Sequence, residues 1–287
     1  HNGFDVDRKL ASEVDGIDVI LTAHTHDAIP EPTVVNKSLL ITSGANGKFL
    51  SRLDLDVGSD GVKDYAYSMI PVLSDAITPD QEMTALIDEL RAPYEKDLAE
   101  VLGTTDGDLY RRGNFNGTFD DVILDALIES QDAQIALSPG FRWGTSLPAG
   151  EEITAEFVYT HTAMTYPAVY RIEMSGEQLK LVFEDVADNL FNPDPYLQQG
   201  GDMVRVGGMN YRIDPNAKMG DRVTNMTLAS TGEPIDAGKT YTVAGWASIN
   251  EDTEGPPVYE VVKDYIRSQD TLNAAPAGNV DVAWPPH

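Results

Sequence analysis

The chain contains no cysteine, so neither a disulfide framework nor a thiol nucleophile is available to it. No stretch of about 18 apolar residues occurs, so no helical membrane span is expected. Basic residues are scarce, with 20 Lys and Arg against 47 Asp and Glu and a net charge of -27. Long-range repulsion therefore argues against nucleic acid or an anionic membrane as partners, and any anionic substrate needs a local island of arginine. No internal repeat or low-complexity tract is visible. At 287 residues the chain is long enough for a sizeable core and for one to two domains.

What is present begins with two histidines one residue apart, His24 and His26 in Leu21-Thr22-Ala23-His24-Thr25-His26-Asp27. They follow Ile17-Asp18-Val19-Ile20-Leu21-Thr22, a short run rich in β-branched residues that reads as a buried strand. Ahead of it, Val6, Leu10, Ala11 and Val14 share one helical face, which completes the start of a βαβ pattern. In open α/β sheets ligands bind beyond the carboxyl ends of strands, and a His-x-His there can aim two imidazoles at one metal. The alternative is a pair of loop histidines without a ligand. A third histidine, His1, opens the chain in His1-Asn2-Gly3-Phe4-Asp5.

Further along, Lys37 to Thr42 reads as a strand, and Phe49 to Val57 alternates Leu53, Leu55 and Val57 against polar neighbours. A Gly58-Ser59-Asp60-Gly61 turn returns it through Val62 to Met69 as a hairpin. Thr78-Pro79-Asp80-Gln81 carries the signs of a helix start, with Thr78 as cap, and Met83, Ile87, Leu90, Tyr94 and Leu98 continue the helix past a kink at Pro93. The remainder mixes elements. Helices are expected over 118–130, 176–191 and 258–266, and strands over 133–137, 169–174, 203–213, 223–228 and 240–247. The tail, residues 274–287, is expected to drape or fray.

The motifs His1-Asn2-Gly3, Gly16 to Asp27, Ser138-Pro139-Gly140-Phe141-Arg142-Trp143-Gly144, Ala163-Met164-Thr165-Tyr166-Pro167, Asp185 to Pro195 and Gly245-Trp246-Ala247-Ser248 resemble the SoxB thiosulfohydrolases, within the 5'-nucleotidase and calcineurin-like metallophosphatase superfamily. That resemblance implies a mixed α/β (α+β) chain in which residues 1–75 are the C-terminal part of a metallophosphatase sandwich. Residues 76–103 form a linker helix, and residues 104–287 a 5'-nucleotidase C-terminal-type substrate domain. The family carries earlier Asp-x-His, Gly-Asp and Gly-Asn-His motifs that do not occur here, so the chain is read as the C-terminal portion of a larger enzyme, inactive alone. Where the family has Gly before the His-x-His, this chain has Ala23, whose methyl restricts the turn.

By the same resemblance His1, His24 and His26 are the catalytic metal ligands of two divalent ions, manganese, with Asp27 a candidate acceptor behind them. Arg142, Arg112, Tyr166 and Trp246 line the substrate site. Guanidinium forks suit a sulfonate or phosphate. Surface salt bridging, for Arg142 as for Arg112, and a plain core role for Trp246 remain the competing readings. The implied activity is dinuclear-metal hydrolysis of a cysteine-bound thiosulfonate on the SoxYZ carrier protein, with release of sulfate, in the periplasm and by a monomer. A 5'-nucleotidase or related phosphoester hydrolase is the second hypothesis, disfavoured because the Gly-Gly-Asp-Gly loop is replaced by Trp246-Ala247-Ser248-Ile249-Asn250-Glu251-Asp252-Thr253-Glu254-Gly255. A non-catalytic binding module is the third.

Overall fold

The computed structural model describes residues 1–141, 143–248 and 252–283. The chain divides into two compact units: His1–Arg91 with Asn192–Gly200, and the remaining residues.

In the first unit α1 (Phe4–Glu13) carries Asp5 and Asp7 in its first turn, where carboxylates complement the helix dipole. After β1 (Val19–Leu21) and β2 (Thr33–Val35), β3 (Ser38–Ile41) forms the centre of a three-stranded sheet of order β1-β3-β2. β1 runs parallel to β3, with Val19 opposite Leu39. The buried strand is β3, all four of whose residues are enclosed, rather than β1. Among the described residues β1 pairs with β3 alone, and its Leu21 is 77% exposed.

The hairpin of β4 (Phe49–Gly58) and β5 (Gly61–Pro71) forms as expected, closing at Gly58 opposite Gly61 with a bulge after Asp56. Its inward alternation is shorter than the sequence suggests, because Leu55 and Val57 are exposed. On its inner side Ser51 Oγ bonds Ser43 Oγ at 2.6 Å and Tyr67 OH at 2.7 Å. The helix expected from Thr78 starts later, as α2 (Gln81–Arg91), and Asp80 rather than Thr78 caps it by accepting the Met83 N–H at 2.9 Å.

The second unit opens with α3 (Glu95–Leu98), separated from α2 around Pro93, and β6 (Val101–Thr105). α4 (Thr118–Gln131) begins one residue after its cap, Gly117, whose N–H donates to Asp120. Then come β7 (Ile135–Ser138), β8 (Glu152–Thr154), α5 (Ala155–Thr162), β9 (Tyr170–Ser175) and α6 (Gly176–Phe191). β10 (Arg205–Gly207), β11 (Met209–Ile213), β12 (Val223–Leu228), β13 (Thr240–Gly245), α7 (Val258–Gln269), β14 (Thr271–Leu272) and β15 (Val280–Val282) complete it.

Three sheets result, of order β10-β7-β13-β9, β12-β11-β15 and β14-β6-β8, so the chain is a mixed α/β protein. One core joins Phe119, Ile123 and Leu127 of α4 to Val262 and Ile266 of α7 and to Trp246. A second joins Ile135, Val206, Tyr211 and Val243 of the strands to Leu179 and Phe183 of α6.

Three further differences from the sequence reading have physical reasons. The strand over 203–213 breaks at Gly208, whose φ of 73° brings its Cα so near the Gln134 carbonyl that a Cβ would lie 2.2 Å from it. Helix α5 escapes sequence reading because it is eight residues long and rich in β-branched residues; Thr154 caps it by accepting the Phe157 N–H. Of the two expectations for the tail, draping holds over its described residues, because β15 pairs in parallel with β11 and Asn279 Nδ2 donates to the Val206 carbonyl at 2.7 Å.

Candidate functional site

The histidine turn leaves the carboxyl end of β1 and is pinned at both ends to the strand beside it. Thr22 N–H donates to the Ile41 carbonyl at 2.8 Å, and the Asp27 carbonyl accepts from Gly44 N–H and Thr42 Oγ, each at 2.7 Å. Between these anchors His24 and His26 take φ values of 75° and 60°. Such left-handed backbone is costly for residues with a Cβ and persists where the surroundings enforce it. Ala23 does not adopt it, so the extra methyl falls where the turn tolerates it. Gly3, at φ 104°, lies against the turn: a Cβ there would stand 3.1 Å from Thr25 Cγ2.

His24 Nδ1 lies 3.2 Å from His1 Nε2, with the rings 4.9 Å apart and inclined by 64°. Two nitrogens each about 2.1 Å from one ion, at about 90–110° to each other, are about 3.0–3.4 Å apart, so this pair has the spacing of two ligands of one cation. The other nitrogen, His24 Nε2, meets the Gln199 carbonyl at 3.2 Å. A histidine ligand characteristically gives its second N–H to such an acceptor. His26 is half-buried, and among the described residues no group of three His, Asp or Glu is arranged to hold a metal. The pair thus fits two positions of a coordination sphere, with the remaining donors not assembled. Asp27 contributes its backbone carbonyl to the turn, and its side chain is exposed.

In the second unit the end of β7 and the loop after it carry the Ser138-Pro139-Gly140-Phe141-Arg142 motif. Arg142 itself lies outside the described residues, but the loop around it is held from beneath. Trp246 Nε1 donates to Ser138 Oγ at 2.8 Å, Arg111 Nη2 to the Pro139 carbonyl at 3.2 Å, and His161 Nε2 faces the Thr145 carbonyl at 2.9 Å. Gly140 passes so close to the 202–203 backbone that a Cβ would lie 2.6 Å from its carbonyls. Phe141 and Trp143 stack at 3.8 Å.

Arg111 also donates to Asp120 at 2.6 Å and to the His161 carbonyl at 2.7 Å. Arg205 lies 3.3 Å from Asp120 and donates to Asp202 at 2.9 Å. All four of these charged side chains are fully enclosed. Burial, with the Arg111 charge beside it, pushes the His161 imidazole down to about 4, so near neutral pH it is uncharged and donates to Thr145.

Of the expected substrate residues, Arg112 is exposed and Tyr166 is 39% exposed. Trp246 is 2% exposed, and an indole enclosed to that degree presents no face to a ligand; the core reading holds for it. Sequence reasoning passed over Asp120, His161, Arg205 and Gln199. Nothing in their local sequence marks them, since Asp120 and Arg205 meet each other across the chain and His161 and Gln199 find Thr145 and His24 in other segments.

The sequence profile of the 5'-nucleotidase C-terminal domain matches residues 101–264. The chain belongs to this family. The structure of the sulfate thiohydrolase SoxB from Thermus thermophilus is similar over 98% of this chain and 53% of that one, with a TM-score of 0.92 and 34% identity. Among curated relatives, the trifunctional nucleotide phosphoesterase protein YfkN of Bacillus subtilis is 26% identical over 276 residues, covering 90% of this chain and 18% of YfkN. The 5'-nucleotidase of Mus musculus is 20% identical over 310 residues, covering 94% of this chain and 52% of the mouse protein. The chain therefore spans about half the length of SoxB and of the mouse nucleotidase, and less of YfkN. By their names these relatives are a thiohydrolase, a phosphoesterase and a nucleotidase. No described helix is long and apolar enough to cross a membrane.

Proposed function

We propose that the chain forms the C-terminal part of a thiosulfohydrolase, a metal-dependent enzyme that hydrolyses a thiosulfonate carried on a cysteine of a SoxYZ-type protein. Water adds to the terminal sulfur, the bond between that sulfur and its neighbour breaks, and sulfate and the carrier's cysteine persulfide are the products. The observation that carries this reading is the likeness to SoxB, 34% identical over nearly the whole chain against 20–26% for YfkN and the mouse nucleotidase. The pairing of His1 with His24 supports it.

Within this reading His1 and His24 hold a divalent cation, manganese, with His26 serving the second ion. Such ions supply Lewis acidity and a more acidic bound water. The chain's own contribution is orientation. The Gln199 carbonyl keeps the Nε2 proton on His24 and leaves Nδ1 to face His1. The buried Arg111 and His161 hold the loop that carries Arg142, whose guanidinium would grip the sulfonate oxygens. A periplasmic location and a monomeric state belong to the same proposal.

The second reading, a 5'-nucleotidase, is favoured by the names of YfkN and the mouse protein. The two part over the substrate. With the sequence upstream of His1 supplied and manganese present, kcat/KM for sulfate release from thiosulfonate-loaded carrier should exceed that for adenosine monophosphate at least about a hundredfold, or about 2.7 kcal/mol in transition-state binding. Comparable values, or preference for the nucleotide, would assign a nucleotidase.

A further inference from the structure

The segment Asn192–Gly200 follows α6 in sequence yet belongs to the first unit, and it includes the Asn192-Pro193-Asp194-Pro195 motif that the hydrolytic reading leaves without a task. Its geometry assigns one. The strap is fastened to α1 at two points. Lys9 Nζ donates to Asp194 Oδ1 at 2.5 Å and stands 4.1 Å above the Tyr196 ring, while Tyr196 OH donates to Glu13 at 2.9 Å. The strap is also tied to itself: Asn192 Oδ1 accepts the Asp194 N–H and Asp194 Oδ1 accepts the Tyr196 N–H, which starts a single 3-10 turn at Pro195.

Beyond that turn the chain reaches His24 Nε2 with the Gln199 carbonyl, 175 positions away in sequence. Gly200 follows at φ 77°, and a Cβ on it would lie 2.4 Å from His24 Nε2. A residue other than glycine would both strain the backbone there and push the ring away.

We infer that the strap Asn192–Gly200 is a positioning element for His24, fixing the tautomer that presents Nδ1 toward His1, so that cation affinity at the pair depends on Asp194 and Gly200 although neither is a ligand. A carbonyl accepts only from a nitrogen that carries a proton, so Gln199 selects the Nε2–H form and frees the Nδ1 lone pair. The Lys9 and Tyr196 contacts hold that carbonyl in place. The inference rests on the reading of His1 and His24 as cation ligands.

The test uses the 287-residue chain with zinc alone as the probe. Calorimetry measures zinc affinity, and long-range nitrogen–proton NMR of the imidazoles reads the His24 tautomer in the zinc-free protein. Gly200→Ala and Asp194→Ala should each weaken zinc binding at least about tenfold, as loss of an outer partner of a ligand does. Each should also mix the His24 tautomers, and Lys9→Arg should preserve the native pattern. If Gly200→Ala fails to fold by circular dichroism, Asp194→Ala, at the strap's surface, decides. If His24→Ala weakens zinc binding while both strap variants keep the affinity and the tautomer, the strap proposal is overturned and the histidine reading stands. If His24→Ala leaves zinc binding unchanged, the histidine reading falls and takes the proposal with it.

Discussion

Arg111, Asp120, Asp202 and Arg205 in the second unit are fully buried and bonded among themselves, whereas in the first unit the pairs of Arg8 with Asp5, Lys9 with Asp194 and Glu13, and Arg52 with Asp54 keep solvent contact. The apolar residues divide the same way. The second unit encloses two clusters of side chains, while the first buries mainly Ala11 and the β3 residues Leu39, Leu40 and Ile41 and leaves Leu21, Leu50, Val57 and Leu90 at least 60% exposed. Charges removed from water must be paired and bonded, and once paired they lock the segments that carry them. The loop of the second unit is therefore fixed by enclosed polar side chains. The histidine turn of the first unit is fixed by backbone bonds and by the strap.

The sharpest way to break this contrast is Arg111→Met. It strands Asp120 beside a single arginine and frees the Pro139 and His161 carbonyls, so it should cost about 3–5 kcal/mol. Urea unfolding measures it, and a loss below about 1 kcal/mol would mean that the cluster does not hold the loop.

Within the first unit, Leu40→Ala should cost about 2–5 kcal/mol because Leu40 is 1% exposed at the centre of β3. A small effect there would show that this unit owes little even to its one enclosed strand.

His161 gives the contrast a pH dependence. Its imidazole protonates at about 4 in the folded chain and at the ordinary 6.5 when unfolded. Between these values the unfolded state binds the extra proton, so stability is complete above 6.5 and is lost as pH falls toward 4. The total is about 3 kcal/mol. Denaturant midpoints recorded across that window should slope for the native chain and flatten for His161→Gln. Equal slopes would show that His161 is not enclosed as described.

A smaller effect with the opposite sign is expected at the histidine turn. His24→Gly relieves a side chain at φ 75° and should leave the chain up to about 1 kcal/mol more stable while removing its affinity for zinc. Thermal unfolding and calorimetry together would separate strain kept for a ligand from strain kept for the fold. Smallest of all, Val57→Ala, at 65% exposure, should change stability by no more than about 0.5 kcal/mol.

Residues near one another in sequence told most of what they do. The β4–β5 hairpin, α6 and β12 were legible because alternation, helical spacing and turn residues act over a few positions. The His24-Thr25-His26 pair was legible because its place after a strand is a local fact. The helix start at Asp80 was missed by two residues because both Thr78 and Asp80 can cap, and only the Met83 N–H chooses between them. Arg111 and Arg112 were not separable by sequence. One is enclosed and the other exposed, and that follows from the distant Asp120, Pro139 and His161 rather than from their neighbours.

By itself the sequence determined the strand-then-histidine pattern, the run of helices and strands and the family motifs, since these depend on side-chain chemistry and short spacings. Only the tertiary structure decided which two histidines meet, that Trp246 is core, and that a strap near residue 200 supplies the carbonyl to His24. Each of those outcomes needs backbone or side-chain atoms remote in sequence to come within hydrogen-bonding distance, and that closeness is set by how whole elements pack.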